Sequence, residues 1–551
     1  MNSREYNTLV GERRGDRIIA LLLCLAVLFA AASGLDYDCP WGDDYAAYIN
    51  DGIAIAQGRY AEQTRLNYFM HPSDMPAEAK DGTLVYVWGY PLVLSLVYSA
   101  AGFDRADYHS VIFYKLPSVI ALAAAAGVLY LLFRRRLSRA SSALLSVYMC
   151  VRPVMLEGAY SIYSDVFFML LSIAAVFLAE RFICSLDEAK PTARCCISGA
   201  ALGLLMLACY ETRLNGITVC ALVLVLHAAH ILHLRKTAAS GDGHKPKLKI
   251  PAAAVLPYAV FSVTAVLCGL MLPRATANTS DLLGIDFAQV LRNLKYYAGQ
   301  LYKFFAEIHT GTLPYALRLA AGAAAALLIC IGIINGWKRD AFFRVYMLFT
   351  ALSLLTLACL PYVQGCRYLF NILPFILMAL GYGIDSAYAW LKTRSKNAAA
   401  LDKIARAAAL LLTAAILISS VSGNLFRILR GEDVRGDGVG NAYSRESLEI
   451  YDFVKNETPE DAVIAFRKPR VMYLNTGRVG FSPMTNSDIH TLADADYYIV
   501  CGSLYDAEEQ ALIIDNEAIL DEQYSCGGYI IYRVISEKKL KICIDTAVEC
   551  C

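Results

Sequence analysis

The chain has 551 residues, 57% of them hydrophobic and 18% charged, with 50 Lys and Arg against 49 Asp and Glu for a formal net charge of +1. One soluble core of this length cannot hide that much apolar side chain, so the composition is that of a polytopic membrane protein. The balanced charge and the lack of a basic tail or arm argue against a nucleic-acid partner.

The first apolar run spans residues 17–35 and is preceded by Arg4, Arg13 and Arg14. Positive charge ahead of an apolar stretch keeps the N-terminus cytoplasmic. Ala31-Ala32-Ser33 reads alternatively as a signal-peptide cleavage site, but the run is long for a signal core and many further spans follow. Directly after this run comes Trp41-Gly42-Asp43-Asp44-Tyr45, opening a segment in which Tyr45, Tyr48, Ile49, Ile53 and Ala56 recur at helical spacing. Asp43 falls at the N-cap and Gly58 where the helix should stop. The segment is too polar to cross a bilayer, so it predicts a short amphipathic helix at the membrane surface.

Residues 87–102, with Pro91 inside, fall short of the roughly 20 residues that a spanning helix needs. The next run, 111–133, ends at Arg134-Arg135-Arg136 and Arg139, and basic short loops belong on the cytoplasmic side. Two crossings therefore separate the N-terminus from that loop, and 87–102 lies along or dips into the outer surface. Further spans follow at 140–157, 162–181, 195–211, 214–234, 251–272, 314–336, 345–361, 367–391 and 405–422, giving about eleven in all. All but one of the loops this puts inside are basic; 182–194 is mixed. In the outer loop 273–312, Phe287, Val290, Leu291, Leu294, Leu301, Phe304 and Ile308 mark a second amphipathic helix, which either packs on the bundle or meets lipid headgroups.

Beyond Gly423 the composition changes, and residues 424–551 read as a small extracytoplasmic α/β domain beside a membrane domain of residues 1–423. Helices are expected at 446–456 and 505–516 and strands at 462–466, 496–501 and 529–535. No phosphate loop, nucleophile elbow or metal-ligand spacing occurs there, and acceptor contact and structural capping both remain open roles. Most of the 17 cysteines sit singly in apolar runs, as small buried hydrophobes do. Cys39, Cys366, Cys501, Cys526, Cys543, Cys550 and Cys551 lie outside those runs, but their spacing defines neither a disulfide connectivity nor a zinc site.

With this topology, several ionisable residues fall on the outer face: Asp43 and Asp44, then Asp165 in Tyr163-Ser164-Asp165, Arg213 after Thr212, and Arg367 in Gly365-Cys366-Arg367-Tyr368-Leu369. Ionisable groups at a bilayer edge are costly unless solvated or paired, so acids and arginines together suggest an anionic ligand and a proton acceptor. Each also has a plain reading, since an aspartate caps helices and an arginine at a span end snorkels to the interface. Arg152 and Glu157 flank Pro153 and invite pairing with each other; His227, His230 and His233 are spaced like metal ligands but lie at the cytoplasmic end of their span.

The order Trp41-Gly42-Asp43-Asp44-Tyr45, Trp88-Gly89-Tyr90-Pro91, Tyr163-Ser164-Asp165, Thr212-Arg213 and Arg367-Tyr368-Leu369 followed by Pro374 resembles the GT-C superfamily of membrane glycosyltransferases. It is most similar to the branch of protein O-mannosyltransferases and lipid A aminoarabinose transferases, over residues 10–425. The resemblance implies a polyprenyl-phosphate-linked sugar donor, a lipid, glycan or protein acceptor, and action on the outer face of the cell membrane. It implies that Asp43 is the catalytic acid of the first loop, with Asp44 the acid that follows it and Asp165 the second acidic position. Arg213 resembles the basic residue at the donor phosphate, and Arg367 the arginine of the Arg-Tyr-Leu pattern. Trp88-Gly89-Tyr90 departs from the lysine or histidine that relatives carry before this proline.

These residue types suit the chemistry. Polyprenyl phosphate leaves readily, so the acceptor hydroxyl needs a base, for which Asp43 is suited, and the departing phosphate needs fixed cations such as Arg213. A single displacement inverts the anomeric centre. Asp165 either orients Asp43 or joins it around a divalent cation, an ion that carboxylates alone do not establish. Two rival classes are a transporter or lipid flippase, which would place its ionisable residues near the midplane and show a repeat, and a non-catalytic scaffold with an external binding domain.

Overall fold

A computed structural model describes residues 14–37, 39, 41–70, 86–102, 110–186, 193–239, 252–272, 286–306, 314–360, 363, 365–429, 441–483 and 490–535. The chain forms two compact units: residues 1–35, 116–272 and 279–430 make the first, and residues 36–115, 273–278 and 431–551 the second. The candidate histidine His233, the apolar-stripe residue Ile308 and the cysteines Cys543, Cys550 and Cys551 have side chains outside the described set.

The first unit is helical. Among the described residues, eight helices are long and apolar enough to cross a membrane: Arg14–Ala32, Val111–Arg134, Ser164–Ser185, Ala193–Thr212, Ala253–Met271, Tyr315–Arg339, Ala341–Cys359 and Ala398–Ser422. Three other expected spans have a different form. The stretch 140–157 is broken into Arg139–Cys150 and Pro153–Tyr160, because Arg152 is extended (φ −62°, ψ 141°) and Pro153 lacks the N–H that would continue the ladder. The stretch expected from Arg367 starts later: Cys366–Leu369 is a 3₁₀ turn, and the helix proper runs Leu373–Arg394 with Pro374 in its first turn. The helix Gly216–Ala239 is apolar over a shorter stretch, Gly216–Leu232.

Small residues let two of these helices touch backbone to backbone. A Cβ on Gly332 would lie 1.8 Å from the Ala379 carbonyl oxygen, and one on Gly383 would lie 1.9 Å from that of Leu328. At the basic loop after Val111–Arg134, the buried Glu180 takes Arg135 at 2.7 Å and Arg136 at 2.6 Å, and Asp16 takes Arg139 at 2.8 Å. These pairs compensate charges held beside the apolar helices.

The amphipathic helix Phe287–Ala306 is present and packs on the bundle through one edge. Asn293 donates to the carbonyls of Ala358 (3.0 Å) and Leu360 (2.8 Å), and Tyr297 and Phe304 are buried, while Phe287 and Leu291 stay exposed.

The second unit joins the first loop to the C-terminal α/β layer. Its sheet has the order β2-β1-β3-β5-β4, with β1 Ile464–Phe466, β2 Gly480–Phe481, β3 Tyr497–Cys501, β4 Leu520–Cys526 and β5 Tyr529–Val534. β1 lies parallel between β2 and β3, and β5 pairs antiparallel with β3 and β4. The expected helices appear as Arg445–Glu457 and Ala507–Asn516. The helix Pro469–Thr476 and the strands β2 and β4 had no sequence expectation; β4 is a largely exposed edge strand carrying Asp521, Glu522 and Gln523, without the apolar alternation that marks a strand.

Two helices of the first loop, Asp43–Ala56 and Tyr60–Met70, dock on this layer, and a third, Gly89–Ala101, packs on Asp43–Ala56. Cys39 and Ala442 join by a 2.9 Å backbone hydrogen bond, Asn441 Oδ1 accepts from the Cys39 N–H at 3.2 Å, and Trp41 stands edge-on to Phe466 at 5.7 Å. Segment 36–115, placed with the membrane domain by the sequence division at 423/424, thus shares its unit with residues 431–551. Gly89–Ala101, at 13 residues, covers only about 20 Å, short of a hydrocarbon core of about 30 Å. It reaches Asp43–Ala56 through Gly52, whose Cβ would meet the Pro91 carbonyl oxygen at 3.0 Å.

Candidate active-site residues

The carboxylates of the first loop sit on the helix Asp43–Ala56. Gly42 occupies the N-cap in an extended conformation without side-chain capping, so Asp43 is the first helical residue and does not cap the helix as expected. Asp43 and Asp44 still meet the positive end of the helix dipole. Two residues past the helix, Gly58 takes φ +68°, the left-handed conformation that ends a helix readily only in glycine.

Asp43 is 9% exposed, and its Oδ2 lies 3.6 Å from Nη1 of Arg470, itself 2% exposed. That separation makes an ion pair looser than a charge-assisted hydrogen bond. Arg470 comes from the first turn of Pro469–Thr476, whose backbone is tied to the same helix by Asn50 donating to the Arg470 carbonyl at 3.1 Å. Asp44 points elsewhere: it accepts from the Tyr86 hydroxyl at 2.8 Å. Tyr86 stacks on Tyr48 (4.3 Å between centroids), and Tyr48 meets Tyr90 edge-on at 5.2 Å. Burial, with the negative Asp44 beside it, pushes the Tyr86 phenol well above its ordinary range, so it stays a donor. Tyr90 of the unusual Trp88-Gly89-Tyr90 therefore serves as an aromatic support within this unit.

Behind this pair lies a third acid, Asp51, fully buried. Asn67 donates to its Oδ1 at 2.9 Å and Gln63 donates to Asn67 at 3.1 Å. Burial raises the Asp51 carboxyl to about 7, with the Asn67 hydrogen bond and the Arg470 charge opposing the rise. Asp51 and Arg470 were not among the sequence candidates. An acid inside Tyr48-Ile49-Asn50-Asp51-Gly52-Ile53 was the available signal for the first; nothing in Lys468-Pro469-Arg470 marks a buried arginine.

In the other unit, Asp165 and Arg213 meet. Asp165 stands in the first turn of Ser164–Ser185 and Arg213 just after Ala193–Thr212; Nη1 lies 2.6 Å from Oδ1, with Asp165 4% and Arg213 18% exposed by side chain. The same Nη1 is 3.3 Å from Ser164 Oγ. The Arg213 guanidinium also covers the Tyr368 ring at 5.1 Å, and Arg367 lies over Tyr163 at 4.9 Å and Tyr368 at 5.6 Å. Two permanently charged forks are thus held around one tyrosine. Ile162, just ahead of this segment, has φ +53°, a conformation costly for a β-branched residue at about 1–3 kcal/mol and found where surrounding structure imposes it.

Other candidates are brought elsewhere. Arg152 lies over the rings of Tyr148 (5.3 Å) and Phe304 (5.5 Å). His227 shares a 3.1 Å hydrogen bond with Tyr258, and His230 faces Phe342. Among the described residues no group of three or more His, Cys, Asp or Glu side chains is placed to hold a metal ion.

No family model matches the sequence, and no curated protein matches it. Solved structures do. The archaeal oligosaccharyltransferase AglB from Archaeoglobus fulgidus, in complex with an inhibitory peptide and a dolichol-phosphate, is similar with a TM-score of 0.56 at 10% identity, over 95% of this chain and 75% of that one. The Archaeoglobus fulgidus oligosaccharyltransferase in the apo form gives 0.54 at 10% identity, over 96% and 76%. ArnT from Cupriavidus metallidurans in the apo state gives 0.51 at 11% identity, over 94% of this chain and 97% of that one. Both proteins are GT-C glycosyltransferases. This chain has the GT-C fold: an integral membrane bundle with a small C-terminal sheet.

Proposed function

We propose that the chain is a membrane glycosyltransferase that moves a hexosyl or pentosyl group from a polyprenyl-phosphate-linked donor to an acceptor hydroxyl of a lipid, glycan or protein. The observation that carries this reading is a buried carboxylate, Asp43, held by one arginine on a short helix directly after the first span of a GT-C fold. Asp43 takes the acceptor proton as the hydroxyl oxygen attacks the anomeric carbon from the face opposite the phosphate, so the product is inverted. The phosphate departs with its bonding electron pair, and Arg213 and Arg367 neutralise the charge it gains. Asp165 fixes the direction of the Arg213 fork through their 2.6 Å contact. Asp44, engaged by Tyr86, orients the start of the helix. The dolichol-phosphate in the AglB complex supports a lipid-phosphate donor class. In this reading the N-terminus is cytoplasmic, and the site and the C-terminal region from about residue 424 face outward at the cell membrane.

The test is transfer of radiolabelled sugar from a panel of polyprenyl-phosphate donors, in membranes carrying the intact chain or Asp43→Asn. Transfer by the intact chain and its loss in the folded variant are expected. An intact chain that consumes no donor with a broad acceptor extract present, or an Asp43→Asn chain that transfers as well, overturns the reading.

A further inference from the structure

We propose that Arg470 is a positioning residue for Asp43 and that Asp51 shares its charge, so that the C-terminal region sets the protonation of the catalytic carboxylate. This rests on the reading of Asp43 as the base. The geometry is confined to the second unit. Arg470 is almost fully buried with its Nη1 3.6 Å from Asp43, and its backbone is pinned to the Asp43 helix by Asn50. Asp51, one residue beyond Asn50, is fully buried within the field of the same guanidinium, and its Oδ2 has no hydrogen-bond partner among the described residues. A buried arginine kept in place by its own backbone contact and felt by two carboxylates has a purpose beyond packing, since an apolar side chain of similar volume would avoid the desolvation.

Among the described residues, the elements packed around Asp43 and Asp51 present the following groups. Pro469–Thr476 presents Arg470; the helix Asp43–Ala56 itself carries Asp44, which is engaged by Tyr86. Tyr60–Met70 presents the neutral Gln63 and Asn67, and Gly89–Ala101 presents Pro91, Leu94, Ser95 and Tyr90. Arg470 is the cation that pairs with Asp43 at 3.6 Å among the described residues. When Asp51 is protonated, the Arg470 charge favours the ionised form of Asp43; when Asp51 ionises, it draws on the same charge and Asp43 becomes the stronger base. Burial places that exchange near neutral pH.

The experiment is the pH–rate profile of sugar transfer for the intact chain, Arg470→Gln, Arg470→Lys and Asp51→Asn, each normalised to folded protein. Arg470→Gln is expected to move the acidic limb up by about one pH unit or more, and Arg470→Lys to return it part of the way. Asp51→Asn, an isosteric change, is expected to remove an inflection near pH 7 from the parent profile while leaving the acidic limb in place. If Arg470→Gln does not fold, the Asp51→Asn profile decides. Profiles of unchanged shape in the folded variants overturn this proposal and leave the glycosyltransferase reading standing. Absence of transfer by the intact chain at every pH overturns both.

Discussion

Asp165 and Arg213 stand 2.6 Å apart, with the carboxylate almost wholly buried and the guanidinium partly open. The exposed part of the pair is thus the cation, and the acid serves as its anchor. Removing one partner of a buried charge pair leaves the other uncompensated, at about 3–5 kcal/mol, so the two residues should differ from ordinary surface arginine and aspartate pairs when mutated.

Asp165→Asn should retain the fold but loosen the Arg213 fork. We expect kcat for sugar transfer to fall about 10²-fold, the scale of a misplaced catalytic group. Arg213→Lys should fail comparably, because an ammonium cannot both grip the carboxylate and offer a second flat edge to phosphate. Steady-state kinetics with a short-chain polyprenyl-phosphate donor provide the check, and a lysine variant as active as the parent would dismiss the fork.

Asp43→Asn should lower transfer by about 10²–10⁴-fold, the range of a general base, and should also lower the melting temperature, because the buried Arg470 loses a counter-ion. Donor binding, followed by protection of the folded protein against heating, should persist. A variant that retains transfer removes Asp43 from the chemistry.

The Asp51 carboxyl, raised to about 7 from an unfolded value of about 3.9, binds more protons in the folded than in the unfolded chain between those two values. Its contribution to stability is therefore lost as pH rises through that window. Asp51→Asn should melt higher than the parent at pH 8, with the gap closing toward pH 5. Glu509, also raised to about 7 by burial although Tyr498 donates to it at 3.1 Å, follows the same sign. Thermal melts of detergent-solubilised protein across pH 5–8 distinguish the parent, each single variant and the pair; parallel melting curves for parent and Asp51→Asn would dismiss the effect.

Gly52→Val should cost about 1–3 kcal/mol by overpacking, since even a Cβ at this position meets the Pro91 oxygen at 3.0 Å and the Leu94 Cβ at 3.1 Å. Gly58→Ala fills open space but puts a side chain on a φ of +68°, so its smaller cost is conformational. Melting temperatures of the two variants should therefore fall in that order.

The spans and the first-loop helix were legible because apolar runs, basic loops and helical spacing are local signals. Gly58 ended its helix for the reason its type suggests. The break at Arg152 was foreshadowed by Pro153, yet a long apolar run hid it, because hydropathy does not register the loss of a single hydrogen-bond donor. Asp43 was found as a candidate but not as Arg470's partner. That contact joins residues from the two ends of the chain, and no local pattern encodes it. Likewise Asp165 and Arg213 were both singled out, while their mutual contact depends on how the ends of two different helices converge.

The second unit is discontinuous in sequence, and this bears on the order in which the protein matures. Residues 36–115 leave the ribosome roughly 300 residues before 431–551, an interval of tens of seconds at about 5–20 residues per second. Throughout that interval Asn50 lacks the Arg470 carbonyl and Asp43 lacks its counter-ion. A nascent or prematurely terminated chain thus carries the helix of its candidate base without the buried charge that accompanies it. The later segment completes the earlier one, so this neighbourhood first exists once residues 431–551 have been made.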